Sequence, residues 1–318
     1  MIGPAPSSLR HLWRATSALA ITALVAGCID MGQRTSLVPP NRPSDLAPQR
    51  QEPSAESARL SRYYAALQQD LLTRGLMRID GGGPETPYDA DDLRENFERI
   101  AFYDEYGSAS GTAGALGRWS GPVRLRAAFG PSVSPEQRAK DSATLEAYAA
   151  RLARLTGHPI SVTNSPARTN FLVLFASQDD GAFVAEQVKT VLPNISGGDL
   201  DVFVRPPQTY YCLVRAGGVQ SEPSAYSRGV ALIRAEHPDL ARRSCIHEEI
   251  AQGLGLRNDS PRARPSIFND DDEFALLTSH DEKLLQILYD PRLRPGMSAP
   301  EARPIVRQIA YDIMGEPK

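Results

Sequence analysis

The residues best suited to chemistry lie between Ser244 and Asp259. There Glu248, Glu249 and Gln252 precede a turn holding Gly255, Asn258 and Asp259. Two adjacent carboxylates, an amide and a further amide or carboxylate make an oxygen-rich set. Carboxylate and carbonyl oxygens suit hard divalent cations, and a positioned Glu can act as general base. The spacing also says what must position them. Ile246, Ile250, Gly253/Leu254 and Leu256 recur at helical intervals and predict a buried face. Glu248, Gln252 and Gly255 fall on a second face, because residues three and four apart stand one above the other. Glu249 lies just beside that face. Gly255 is placed to end the helix as a left-handed cap, and the turn brings Asn258 or Asp259 back toward Glu248 and Gln252.

This arrangement resembles the zinc helix of the metzincin peptidases, H-E-x-x-H-x-x-G-x-x-H, in which two His and a third beyond the Gly bind zinc and Glu is the base. Aligned on Gly255, Glu249 keeps the position of the base. Glu248, Gln252 and Asn258 (or Asp259, one residue on) stand where the three His belong. The alternative frame from His247 is rejected, because it puts Ala251 at the second ligand position. The resemblance places Gly296-Met297 at the Met-turn beneath the site. It implies an α+β fold with a twisted sheet first, the site helix next and a helical C-terminal part.

The wider chain resembles a bacterial family of lipoproteins known as a domain of unknown function, number 2927. The resemblance is carried by Asn96–Phe102, Trp119–Arg124, Cys245–Asp259 and Leu284–Met297. It implies the metzincin-like fold and no established activity.

Two functional readings follow. In a hydrolase, Glu249 would deprotonate a metal-bound water held by Glu248, Gln252 and Asn258 or Asp259. That set is all oxygen, whereas zinc sites favour nitrogen and sulfur, so a zinc peptidase is not expected. The leading expectation is a non-catalytic envelope protein that binds or scaffolds, with no cofactor. Its ligand would be an extended peptide or a cell-wall component added along the sheet edge. A purely structural role would have the same polar residues bond one another at the core edge.

Composition narrows the partners. A formal charge of −3 over 318 residues has no basic signature, so nucleic acid is not expected. The N-terminus reads as a targeting segment: Arg10, His11 and Arg14 precede the apolar run Ala15–Ala26, which is too short to span a bilayer. Leu24-Val-Ala-Gly-Cys28 resembles the bacterial lipobox, whose Cys is diacylated and becomes the mature N-terminus. Residues 1–28 are therefore expected to be a lipoprotein signal peptide, with the protein held on the membrane through lipid on Cys28. Ile29 after the Cys favours the outer membrane. Residues 29–54, with five Pro, predict an extended tether, and 55–318 a single domain.

Export implies an oxidising compartment. The two remaining cysteines, Cys212 and Cys245, are expected to pair, tying a strand to the site helix and stabilising by about 3 kcal/mol.

Helices are expected from Ser54/Ser57 to Met77, from a cap at Asp91 or Asp92 to Tyr103, over 135–156 behind Ser134-Pro135, over 182–192, over 281–289 behind Thr278 or Ser279, and over 299–314. Strands are expected within 119–129 and over 160–163, 170–175, 210–215 and 230–235. His158, His237, His247 and His280 show no metal-ligand spacing. The run Asp270–Glu273 reads as a solvated acidic face rather than a calcium loop.

Overall fold

The computed structural model describes residues 52–103 and 113–315, which fall within one compact unit. The lipobox, Cys28 and most of the expected tether lie outside the described residues. The architecture is mixed α+β with a mostly parallel sheet.

Helix α1 (Ala55–Thr73) starts where Ser54 Oγ accepts from Ser57 N. It stops four residues short of the expected Met77, because Arg74 and Gly75 turn the chain, Gly75 with φ +77°. Helix α2 (Ala90–Phe102) begins before the expected cap. Asp89, not Asp91 or Asp92, caps it, and Asp92 closes the reciprocal half of the capping box. Strand β1 (Arg118–Trp119) precedes β2 (Val123–Phe129), whose alternating burial follows its alternating apolar residues. Helix α3 (Pro135–Thr156) starts behind Ser134, and Gly157 ends it at φ +64°. Then come β3 (Ile160–Val162), β4 (Phe171–Ala176), α4 (Gly181–Val191) and α5 (Gly197–Val204). Strands β5 (Cys212–Gly217), β6 (Ala225–Tyr226) and β7 (Arg228–Arg234) lead into α6 (Asp239–Leu254), with α7 (Ser279–Tyr289) and α8 (Ala299–Met314) closing the fold.

The main sheet has the order β3-β2-β4-β7-β5. The first four strands are parallel and β5 runs antiparallel to β7. Every residue of β4 is buried, as a central parallel strand covered on both faces requires. One face packs on α2, α3, α6, α7 and α8 in the main core, where Phe171, Ile246, Ile250, Leu254 and Leu288 are fully buried. The other face packs Leu172, Leu174 and Val230 on Val184 and Val188 of α4 and Phe203 of α5. Helix α6 comes very close to the sheet because position 253 is Gly. A Cβ there would stand 2.4 Å from Phe171 Cζ. Trp119 Nε1 donates to the Gly253 carbonyl at 2.9 Å and locks the contact.

Among the described residues β5 is thus an edge strand, paired on one side, and the disulfide Cys212–Cys245 ties its first residue to α6.

Candidate functional site

A cleft of about 770 Å³ lies between β5 and the chain that follows α6. Its near wall is Thr209–Tyr211 and the residues of β5 up to Ala216. Its floor is the face of α6 carrying Ser244, Glu248, Glu249 and Gln252. The far wall is built from Arg257, Asp259, Ile267, Asn269, Asp270, Asp272 and Phe274, and Tyr226 stands on the rim.

Local sequence explains the floor. Ile246, Ile250, Leu254 and Leu256 turn into the core, which directs Glu248, Glu249 and Gln252 the other way. Glu249 is buried at 4% exposure and Gln252 at 8%, so both sit deep in the cleft, while Glu248 is half-buried. Gly255 does end the helix, at φ +132°, beyond the left-handed helical value expected for it. A Cβ there would meet the Gly117 carbonyl oxygen at 2.3 Å, so backbone crowding as well as φ demands Gly.

Beyond that turn the two candidate ligands part. Asp259 lines the cleft. Asn258 does not: its Nδ2 donates to the carbonyls of Arg99 at 3.1 Å and Asp259 at 3.0 Å, and its backbone N–H donates to Ile100 O. It holds the turn against α2. Met297 is buried in the main core behind Gly296 (φ +85°) and is not among the cleft residues.

The histidines are engaged elsewhere. His247 stacks on Tyr148 with ring centroids 4.1 Å apart, and its Nδ1 accepts from Leu277 N at 3.1 Å. Burial lowers its pKa to about 3, with Arg151 and Arg243 adding to the effect. His237 Nε2 lies 2.7 Å from the Tyr211 carbonyl, and burial lowers its pKa to about 4. His280 pairs with Asn96 Nδ2 at 3.2 Å, and His158 with the Gly121 carbonyl at 2.9 Å. No histidine lines the cleft.

The donors that reach the cleft floor are therefore carboxylates, an amide and the Ser244 hydroxyl. This set does not fit zinc, which seeks nitrogen or sulfur. Among the described residues no group of three or more His, Cys, Asp or Glu is placed to hold a metal ion.

The run expected to be a solvated acidic face is indeed exposed at Asp270, Asp271 and Asp272, and Asp270 and Asp272 also border the cleft. Backbone pairing holds this segment in place: Met77 N donates to Asp272 O and Arg78 N to Glu273 O, each at 2.8 Å. Glu273, less exposed than the three Asp before it, is bonded to Arg78 and Arg264. The residues after α1 thus brace the far wall, while Tyr64 Oη of α1 donates to Gln208 O at 2.9 Å and braces the near one. No local signal in 270–273 announces this, because the partner strand lies nearly two hundred residues away.

No curated protein matches the chain at a significant level, and no solved structure does. The family described as Protein of unknown function (DUF2927) matches residues 90–308, a stretch that runs from the start of α2 into α8 and takes in the sheet, α6 and both walls of the cleft. The chain belongs to that family.

Proposed function

We propose that this is an exported, lipid-anchored envelope protein that binds an extended ligand, a peptide or a peptide-bearing cell-wall component, by adding it as a strand to β5. The observation that carries this reading is the position of β5. Among the described residues it is the antiparallel strand of the main sheet, its one strand partner is β7, and Cys212 to Ala216 border the cleft. An edge strand that borders a cleft offers main-chain donors and acceptors in register for a second strand. Six residues of strand span about 20 Å, enough for a short peptide.

Several features support the metzincin-like reading. The sheet precedes α6, α6 ends in a sharp Gly turn, the C-terminal part is helical, and a Met follows a positive-φ Gly before α8. The donor set argues for binding without zinc chemistry. A second reading, a hydrolase using a hard cation with Glu249 as base, rests only on Glu248, Glu249 and Asp259 lining one cleft, since they do not form a group placed to hold a metal.

Hydrogen exchange of the full chain in detergent tests the first reading. A protease digest of the envelope fraction is expected to slow exchange at the amides of 212–217. Unchanged exchange there overturns strand addition. Elemental mass spectrometry of the same sample tests the second, since stoichiometric metal lost in Glu248→Ala would put hydrolysis ahead. Labelling with a radioactive fatty acid tests the anchor: Cys28→Ser is expected to abolish incorporation.

A further inference from the structure

The charge lining the cleft narrows the ligand class, given the strand-addition reading above. Five carboxylates from three stretches face the cavity: Glu248 and Glu249, Asp259, and Asp270 with Asp272. Among the described residues two cationic side chains line it, Arg215 and Arg257. Arg215 already has a partner outside, since its Nη1 donates to Asp199 Oδ1 at 2.6 Å. Arg257 Nη2 donates to the Ala115 carbonyl at 3.1 Å. Among the described residues the cleft lining thus carries three more carboxylates than cationic side chains, which gives it a negative character.

Like charges on the far wall repel one another. Asp272 is held at φ +56°, and its carboxyl has a raised pKa, first from lost hydration and then from Asp271 and Asp270. A cleft with low-dielectric walls focuses such a field and draws in counter-charge.

The strand geometry says where the counter-charge must sit. Cys212, Val214 and Ala216 pack with the core on the α6 side, whereas Leu213 packs on the α4 side. A strand added beside β5 alternates in the same way, so every second side chain faces the acidic floor. We propose that the cleft takes an extended peptide segment with cationic side chains, Lys or Arg, at alternate positions.

The test uses the full chain in neutral detergent and blocked, fluorescent hexapeptides on one Thr/Val frame, read by anisotropy. One peptide carries Lys at two alternate positions, others Gln or Glu there, and a fourth is the Lys peptide with alternate backbone amides N-methylated. The Lys peptide is expected to bind at least about tenfold more tightly than the Glu peptide at about 0.05 M salt, with the gap narrowing at about 0.5 M. The double variant Asp270→Asn/Asp272→Asn is expected to shrink that gap, and Asn tolerates the positive φ at 272. N-methylation is expected to weaken binding by about tenfold or more. If the Gln and Glu peptides bind as well as Lys while N-methylation still weakens binding, the cationic class is overturned and strand addition stands. If the Lys peptide binds equally well with and without N-methylation, strand addition is overturned and the charge preference stands. If none binds, both fall.

Discussion

Cys212 and Cys245 are joined across the cleft floor, their Cα atoms 5.8 Å apart. One is the first residue of the edge strand β5. The other lies three residues, or about one turn, before Glu248 on α6. The link therefore joins the backbone edge that would receive a ligand to the helix that carries the carboxylates. Replacing both cysteines with Ala is expected to cost about 2–5 kcal/mol, because the unfolded chain regains the entropy of a loop spanning a separation of 33 residues. Urea unfolding of the full chain measures this. An unchanged midpoint would refute it.

Gly255→Ala is expected to cost about 3 kcal/mol or more. The substitution adds a side chain at φ +132° and drives a Cβ into the Gly117 carbonyl, which is backbone and has little room to yield. Because Gly117 adjoins β1, the damage should spread to the β1–β6 ladder at Tyr226 on the cleft rim. Hydrogen exchange at 225–226 in the variant is the check. A variant as stable as the parent would show that the turn relaxes freely.

Arg242 and Asp141 form a buried pair between α6 and α3, Nε lying 2.8 and 3.0 Å from the two carboxylate oxygens. Both side chains are almost wholly buried. Asp141 nonetheless has a raised pKa, because burial outweighs its attraction to Arg242. Removing one partner leaves a buried charge, so Arg242→Met is expected to cost about 3–5 kcal/mol at neutral pH. Alone, Asp141 would hold a folded-state pKa above its unfolded value, so the variant should recover stability as pH falls. A loss that does not vary with pH would contradict this.

The buried histidines set an acid limit. His237 and His247 have folded-state pKa values of about 4 and about 3, against 6.5 when unfolded. Between these values the unfolded chain binds more protons, so stability is lost as pH falls below about 6.5. The loss should reach the order of 3–6 kcal/mol by about pH 4. Glu236 and Asp141, whose pKa values are raised by burial, act in the opposite sense and soften the decline at its acid end. Thermal unfolding followed from pH 7 to 4 should show a falling midpoint, and a flat profile would overturn the assignment of neutral, buried imidazoles.

Much of the local structure was legible because its causes are local. Ser54, Ser134 and Thr278 accept from the N–H three residues on, and α8 runs over the expected residues, 299–314, behind Ser298. The apolar face of α6 and the alternation of β2 needed only periodicity. The pairing of Cys212 with Cys245 followed from there being two cysteines left in a chain expected to be exported. Helix α5 was missed, although Ser196 accepting from Asp199 N gives a readable cap; Gly197-Gly198 obscured it.

What the tertiary structure alone decided is non-local. Whether Asn258 or Asp259 enters the cleft depends on a turn whose path is set by the Gly117 carbonyl. The exposed edge at β5 comes from the order of strands in the sheet, which hydrophobic pattern cannot rank. The placement of Asp270 and Asp272 beside the cleft goes with the pairing of Asp272 and Glu273 to Met77 and Arg78. Sequence determined which residues are polar, which are buried and where helices begin. Contacts between residues far apart in the chain decided which polar groups meet, since their geometry exists only once the core has closed.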